Sequence, residues 1–531
     1  MTWRELRWFA TVAIGIAVPY LLMAYGGVRS PDCEVVFRAG EQLAATGRLE
    51  VSTRLETWPE FGVAEGRDGR LHSIFGPQLS VLSSPLILLA DLLEHTTWFE
   101  SSRKWIPLSF FVGTGMRDYF AGTRPDDMRP HLHRFVASFL NIACGALGAA
   151  VMWLIVLRMS RSRATASVFA VLHGLGTLAW PYSGTFFSEP AATTFALLAL
   201  LFLITEDPHY RTHHTSPRTT RLILSGACLG MSVLAHITSV LFLPFFLAYA
   251  IGITRTRPSN CNLEPSTNSQ NTPHPSTKRA ATAWLLGAGT VLAFLAFYNA
   301  ARFGNPLETG RTADMAIYER LEYGRFIVPW EGLTGLLFSS GKGLLWYSPA
   351  VLVGVACWPS FHRSNRLLSS VLALAATGRI VFIASRSDWH GGFCLGPRYL
   401  VPLIPFLLLP AVPTVTRVLQ QGGRKVWSIT TILFLCVSQQ AHLALGEPIS
   451  YYYKVRIALW DARIVNLFKD NLIYRDWRLS PLLHLQDWRR GPFLLQGIPF
   501  SNLQLWFVFV GLIAAFLMAF HRSLLDPRRW K

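Results

Sequence analysis

Two carboxylates stand directly after the first apolar segment of the chain, in the stretch SPDCEVVFRAGEQLAATG at residues 30–47. Asp32 and Glu34 lie where the chain would leave a membrane, and a carboxylate there could take a proton from an attacking hydroxyl group as a general base. The stretch also fits a helix, since Ser30 suits the N-cap, Pro31 the first helical position and Gly47 the C-terminal end. Helical residues i and i+2 point about 200° apart, so the two carboxylates are not expected to share one site.

The composition indicates a membrane protein. Of the 531 residues, 51% are hydrophobic and 15% charged, against about 25% charged in a typical soluble protein. Apolar runs of about 20 residues, the length that crosses a bilayer core, recur from end to end. The sequence therefore predicts an all-α polytopic membrane protein, whose first apolar run is an uncleaved helix because no A-x-A-like site follows it.

The charge distribution predicts how the chain is oriented. The net charge is +18, but with the N-terminus in the cytoplasm the basic and acidic residues of the outer segments cancel, and the excess of Lys and Arg lies in the inner ones. This is the positive-inside bias. We expect both termini in the cytoplasm and no nucleic-acid partner. The helices are predicted over residues 8–25, 134–158, 165–181, 188–205, 222–238, 239–254, 282–300, 343–360, 367–385, 398–415, 427–444 and 502–520.

The chain is predicted to form one transmembrane module, residues 1–531, of about twelve spans. Its first extracytoplasmic loop, residues 26–133, carries interfacial helices, and its last extracytoplasmic segment covers 445–501. The stretch 255–281 is rich in Pro, Ser, Thr and Asn and predicts a disordered cytoplasmic linker. Residues 76–93 are apolar enough to cross the membrane as part of a tight hairpin, but we expect them to lie in the outer interface.

Five cationic or titratable residues collect near the outer ends of the predicted helices: Lys342, Arg379, Arg386, His390 and Arg398. Arginine grips phosphate oxygens bidentately, so these side chains suit a lipid phosphate at headgroup level. They could also serve only as anchors in the headgroup layer, with Arg379 extending to the surface from inside its helix. A base above a lipid phosphate would suit the transfer of a sugar from that phosphate to a hydroxyl group.

Metal ligands are not expected. The histidines of HLH at 131–133 and of PHYRTHH at 208–214 fall on opposite faces of the predicted membrane, and the seven cysteines form no CxxC pair. Neither a metal nor a cofactor is predicted.

Several stretches together resemble the GT-C superfamily of membrane glycosyltransferases, in the branch of the protein O-mannosyltransferases, the aminoarabinose transferase of lipid A and uncharacterised bacterial relatives. They are PDCEVVFRAGEQLAATGRL, LHSIFGPQLSVLSSP, WPYSGTFFSEP, YNAARFGNPLETGR and WHGGFCLGPRYLVPLIP.

The resemblance implies a polyprenyl-phosphate sugar donor, inversion at the anomeric carbon, a lipid, glycan or protein acceptor, and a place among the lipids of a bacterial inner membrane. It implies Asp32 as the base and Arg398 near the donor phosphate. Here Cys33 separates the two acids, which are adjacent in the mannosyltransferases.

Two alternatives stay open. One is a lipid-linked sugar flippase or transporter; the other is a catalytically inactive GT-C relative. Transporters place charges near the bilayer midplane on broken helices, often within inverted repeats. This sequence shows no repeat, and its polar residues cluster at the outer face, which favours an enzyme.

Overall fold

The structure, a computed structural model, is helical apart from one small hairpin within the residues that it describes. Those residues are 2–56, 58–112, 119, 122–211, 219–255, 277–312, 325–446, 448–464, 471–484 and 502–525. The predicted linker 255–281 lies largely outside them, as does part of 445–501. The all-α, polytopic prediction is confirmed.

The helices are numbered in chain order. They are α1 Trp3–Leu22, α2 Pro31–Thr46, α3 Gln78–Glu94, α4 Thr97–Ser102, α5 Arg129–Ser160, α6 Arg163–Leu175, α7 Ala179–Ser183, α8 Glu189–Glu206, α9 Thr219–Ala235, α10 Leu243–Arg255, α11 Thr277–Phe303, α12 Pro329–Phe338, α13 Leu344–Tyr347, α14 Ala350–Ser364, α15 Arg366–Ala384, α16 Ile404–Leu408, α17 Val412–Gln421, α18 Lys425–Leu445, α19 Pro448–Asp461 and α20 Asn502–Leu525. Short 3-10 turns cover Arg103–Trp105, Ile237–Phe242, Arg398–Leu403, Leu409–Ala411, Leu472–Tyr474 and Trp477–Leu479. The hairpin pairs β1 Val63–Glu65 with β2 Leu71–Ser73, antiparallel.

Eight helical segments of the described residues are long and apolar enough to cross a membrane. They are Trp3–Leu22, Arg129–Ser160, Glu189–Glu206, Ile237–Arg255, Thr277–Phe303, Arg366–Ala384, Arg398–Gln421 and Lys425–Leu445. All twelve predicted segments contain helix, but some are divided. The segment 343–360 breaks between α13 and α14 at Pro349, which has no backbone N–H to continue a helix, and Thr219–Ala235 has only 17 residues.

The segment predicted to be the first outer loop packs against the apolar helices. In α2, eight consecutive residues, Cys33 to Gly40, are buried, so the helix is surrounded on all sides rather than lying on a surface. It packs against α3, where Ser80 Oγ donates to the Val36 carbonyl at 2.7 Å. As predicted, Gly47 ends α2, with a φ of +72° that favours glycine. Beyond α3 the chain bends by 91° into Thr97–Trp105.

Helices α9 and α11 both end near a cavity, and they pack closely against each other. Helices α9 and α11 cross at Gly226 and Gly287, where a Cβ atom on either glycine would overlap a backbone carbonyl oxygen of the facing helix. Because both glycines lack a Cβ, the backbones touch. The end of α11 carries Arg302, whose Nη1 donates to the Ser73 carbonyl of β2 at 2.6 Å. The hairpin is thereby attached to the membrane helices.

Candidate active site

A cavity of about 840 Å³ lies between the first turn of α2, the residues just before α8 and those just after α9. This volume is within the range of small-molecule sites. Its lining holds six arginines and three carboxylates, an excess of positive charge that favours an anionic ligand. The charged lining residues are Arg302, Arg311, Arg325, Arg386, Arg398, Arg456, Asp32, Glu60 and Asp388.

Arg398 is the centre of the charged part of the cavity. Its Nη1 lies 2.6 Å from Oδ2 of Asp32, and its Nε donates to Oε1 of Glu189 at 2.7 Å. Phe187 packs on the guanidinium, with its ring centroid 4.3 Å from Cζ. The Glu189 side chain is fully buried, whereas that of Asp32 is 19% exposed and lines the cavity. Of the two carboxylates, Asp32 is the one that a ligand can reach.

Two helix N-termini supply these carboxylates. Asp32 lies in the first turn of α2 and Glu189 in the first turn of α8. Ser30 occupies the N-cap position of α2, as predicted, but neither Ser30 nor the N-cap Ser188 of α8 makes a side-chain capping hydrogen bond. The positive end of each helix favours an ionised acid. The acids therefore do more than cap: both are bound by one guanidinium.

A rigid loop presents Arg398. The residue follows Gly396, whose φ of +57° favours glycine, and a Cβ there would press on the ring of Tyr347. The Tyr182 hydroxyl donates to the Leu395 carbonyl at 2.8 Å and holds the same loop to α7. The arginine consequently enters the cavity from a fixed backbone.

The charges do not balance within the trio of Asp32, Glu189 and Arg398. One guanidinium faces two carboxylates, so one negative charge remains in excess. Among the other charged residues of the lining, five are arginines and two are acids, so positive charge is in excess there. In the part of the chain that the structure describes, neither Arg311 nor Arg325 forms an ion pair, so both guanidinium groups remain available to a ligand.

Glu34, the second predicted catalytic acid, is directed away from the cavity. Its carboxylate is fully buried and ion-paired with Arg38 Nε at 2.8 Å and with Nη2 of Arg134. Although burial acts to raise it, the pKa of Glu34 lies below its ordinary value because Arg134 and Arg38 stabilise the charged form. The α2 helix thus directs its two acids to different partners, in agreement with their expected angular separation.

Lys342, predicted to contact the donor phosphate, is also outside the lining. Its ammonium is fully buried and donates to the carbonyl oxygens of Gly392 at 2.7 Å and Cys394 at 2.6 Å, and to the Cys394 thiol at 3.2 Å. Burial lowers the pKa of Lys342 below its ordinary value. The lysine fastens the Gly-rich loop that leads to Arg398.

The other predicted cations divide in the same way. Arg379 is fully buried, and its guanidinium donates hydrogen bonds to the Tyr399 carbonyl at 2.9 Å and to Thr238. Arg386 lines the cavity but is paired bidentately with Asp388 at 2.7 and 2.8 Å. His390 is buried with its ring stacked on Tyr474, and burial lowers its pKa to about 3. Only Arg386 and Arg398 of the five lie on the cavity surface.

Sequence reasoning missed several members of the site. Glu189 is not among the predicted site residues, and the arginine that binds it, Arg398, is 209 residues away in sequence. His236, whose Nε2 lies 3.6 Å from Glu189 Oε1, follows α9 without any flanking motif. Arg302 and Arg311 lie in YNAARFGNPLETGR, just after a predicted helix. A position just beyond a helix end is one that the predicted site residues also occupy, and it was the signal that could have identified these two arginines.

No protein-family model and no curated protein sequence matches the chain. Several solved structures resemble its fold, among them the following three. Two are of ArnT from Cupriavidus metallidurans, bound to undecaprenyl phosphate and in the apo state, with 15% and 13% identity and TM-scores of 0.45; both alignments cover 98% of this chain and 76% of ArnT. The third is the oligosaccharyltransferase AglB from Archaeoglobus fulgidus, in complex with an inhibitory peptide and a dolichol-phosphate, with 12% identity and a TM-score of 0.45, covering 94% of this chain and 62% of AglB. At these scores the likeness by itself assigns neither a family nor an activity.

Proposed function

We propose that the protein is a GT-C-type glycosyltransferase that moves a hexose or pentose from a polyprenyl-phosphate donor to a lipid, glycan or protein hydroxyl. It would work at the extracytoplasmic face of a bacterial inner membrane, with both termini in the cytoplasm. One observation carries the proposal: a reachable aspartate and the arginine paired with it line a large cationic cavity at the polar end of an apolar helical bundle.

Asp32 is the proposed base. The acceptor hydroxyl attacks the anomeric carbon and gives its proton to the Asp32 carboxylate as the new C–O bond forms. The bond from the anomeric carbon to the phosphate oxygen breaks, and its electron pair leaves with the lipid phosphate. Because a single displacement occurs, the configuration inverts. Arg398 orients Asp32, and the buried Glu189 orients Arg398.

The cations of the opposite lining would receive the leaving phosphate. Arg311 and Arg325 provide guanidinium groups without an ion pair among the described residues, and Arg386 provides one held in place by Asp388. Fixed donors aimed at a developing phosphate charge lower the barrier without reorganising during the reaction. Val233 and Leu295, from α9 and α11, also line the cavity and suit the first units of a prenyl chain.

The test is a transfer assay in proteoliposomes with the wild type and Asp32→Asn. Undecaprenyl-phosphate-linked mannose, glucose and arabinose are supplied with a membrane extract as acceptor, and released undecaprenyl phosphate is measured by mass spectrometry. We expect Asp32→Asn to lower the rate by about 10²–10⁴, the usual contribution of a general base. Asp461→Asn, at an exposed aspartate ending α19, is the control and should match the wild type. Full activity in Asp32→Asn refutes the assignment.

The two rival functions give different results in the same vesicles. A flippase or transporter moves the lipid-linked sugar between leaflets without releasing lipid phosphate. An inactive relative binds undecaprenyl phosphate but releases none from any donor. Transfer to an acceptor, with Asp32 required, is expected only of the enzyme.

A further inference from the structure

Five side chains with metal-binding atoms meet outside the cavity, where α2, α3 and α5 come together. His133 Nε2 lies 3.1 Å from Glu94 Oε2 and 3.3 Å from Asp91 Oδ1. Its Nδ1 lies 3.7 Å from Glu41 Oε1, and His95 Nε2 lies 3.6 Å from Glu94 Oε1. None of these residues lines the cavity, so the cluster is separate from the proposed catalytic site.

The cluster carries more negative charge than its arginine neighbours can neutralise. It contains three carboxylates, and Arg134 reaches only Glu41, at 4.0 Å. That guanidinium is already bound to the buried Glu34. The neighbouring Arg129 is bound to Asp127 at 3.0 Å. A half-buried group of like charges is unfavourable without a counter-ion.

We propose that this cluster binds a divalent transition-metal ion of the Zn²⁺ type. Two ligands that are each about 2.1 Å from a tetrahedral zinc ion lie roughly 3.4 Å apart, close to the 3.1 and 3.3 Å separations of His133 from the two acids. One atom from each of Asp91, Glu94 and His133 falls within 4.8 Å of the others. Imidazole nitrogen mixed with carboxylate oxygen suits zinc, whereas calcium and magnesium select oxygen ligands.

The site departs from the expectation of no metal, which rested on histidine spacing along the chain. The partners of His133 come from α3, near the D-x-x-E-H sequence of residues 91–95, and are brought to α5 only by the fold. Glu41 faces the other ring nitrogen of His133, Nδ1, at 3.7 Å and can hold the imidazole in orientation. Glu41 lies nine residues beyond Asp32, about 14 Å along α2 by the helical rise. The ion therefore links α3 to α5, and α2 contacts the site only through Glu41 and His133, so the ion does not touch the reacting groups.

The test uses the full-length protein in detergent, stripped with a chelator and then supplied with Zn²⁺ or Co²⁺. We expect one ion per chain by elemental analysis, a higher melting temperature with Zn²⁺, and the visible absorption bands of tetrahedral cobalt. His133→Gln should lose all three. His72→Gln is the matched control, because His72 Nε2 faces only one carboxylate, Asp68, at 3.1 Å, and should bind metal like the wild type.

Other outcomes overturn the proposal. If the wild type binds no more metal than His133→Gln, the histidine serves as a protonated partner of the acids and no ion site exists. If His133→Gln does not fold, Asp91→Asn, at a side chain 46% exposed, takes its place and should lose the cobalt bands. Asp32→Asn should bind metal normally, so failure of the metal site and failure of the proposed base are distinguished.

Discussion

Removing the charge of Arg398 should have separable effects on stability and on activity. In Arg398→Met, the buried Glu189 loses the guanidinium that binds it at 2.7 Å, and Asp32 loses its partner at 2.6 Å. At an effective dielectric constant near 20, each contact has a gross Coulomb energy of roughly 6 kcal/mol, most of which offsets desolvation. Breaking a buried pair from one side typically costs about 3–5 kcal/mol, and that is the expected loss of unfolding free energy.

The double variant Arg398→Met with Glu189→Met tests the cause. Replacing both charges by apolar side chains removes the uncompensated buried carboxylate, and such replacements are often neutral or stabilising. We therefore expect the double variant to recover to within about 1 kcal/mol of the wild type, while transfer activity stays lost because Asp32 is no longer held.

Unfolding in mixed detergent micelles measures the stability, and release of undecaprenyl phosphate measures the activity. Arg398→Lys keeps the charge without the planar fork that bridges two carboxylates, and is the control for charge alone. A double variant as unstable as Arg398→Met would contradict the electrostatic explanation. Wild-type activity in Arg398→Met would remove Arg398 from the mechanism.

Two further predictions concern residues behind the cavity. Glu34→Gln breaks the ion pairs with Arg134 and Arg38 and should cost about 3–5 kcal/mol in micelle unfolding, while transfer per folded molecule stays within a few-fold of the wild type; a loss as large as that of Asp32→Asn would make Glu34 catalytic. Burial lowers the pKa of His390 to about 3, so between its ordinary value near 6.5 and this one the unfolded state binds the extra proton and stability falls as pH falls. The wild type should lose on the order of 2 kcal/mol more than His390→Asn between pH 7.5 and pH 5, and equal losses would show that His390 is not the group titrating.

The sequence was sufficient to place residues at one end of the bundle. Hydropathy and the positive-inside bias assigned Asp32 and Arg398 to the same membrane face, and the structure brings them to 2.6 Å. The bounds of α2 also followed from local chemistry, because Pro31 and Gly47 are start and stop signals that act without tertiary contacts. The first conclusion needs only the order of apolar and charged segments along the chain, and the second needs only the residues at the ends of one helix.

The residues that bind each buried charged side chain could not be predicted from hydropathy and local sequence signals. A lysine before a helix has the same sequence signature whether it faces a phosphate or, like Lys342, a ring of carbonyl oxygens. Glu189 fits a helix opening equally well with or without Arg398 beside it. Burial and pairing over long sequence separations depend on the whole packing, which hydropathy does not encode. Helix breaks such as Pro349 were visible but were read as part of continuous spans.

The pairing of Asp32 with Arg398 also has a consequence for biogenesis. The aspartate emerges with the first span, whereas the arginine is synthesised only after most of the chain. Until that later segment is inserted, the acid has no guanidinium to hold it and the cavity lacks one wall. Under the proposed mechanism, a nascent or prematurely terminated chain lacks the residue that holds its base, so we expect it to leave lipid-linked sugars unconsumed.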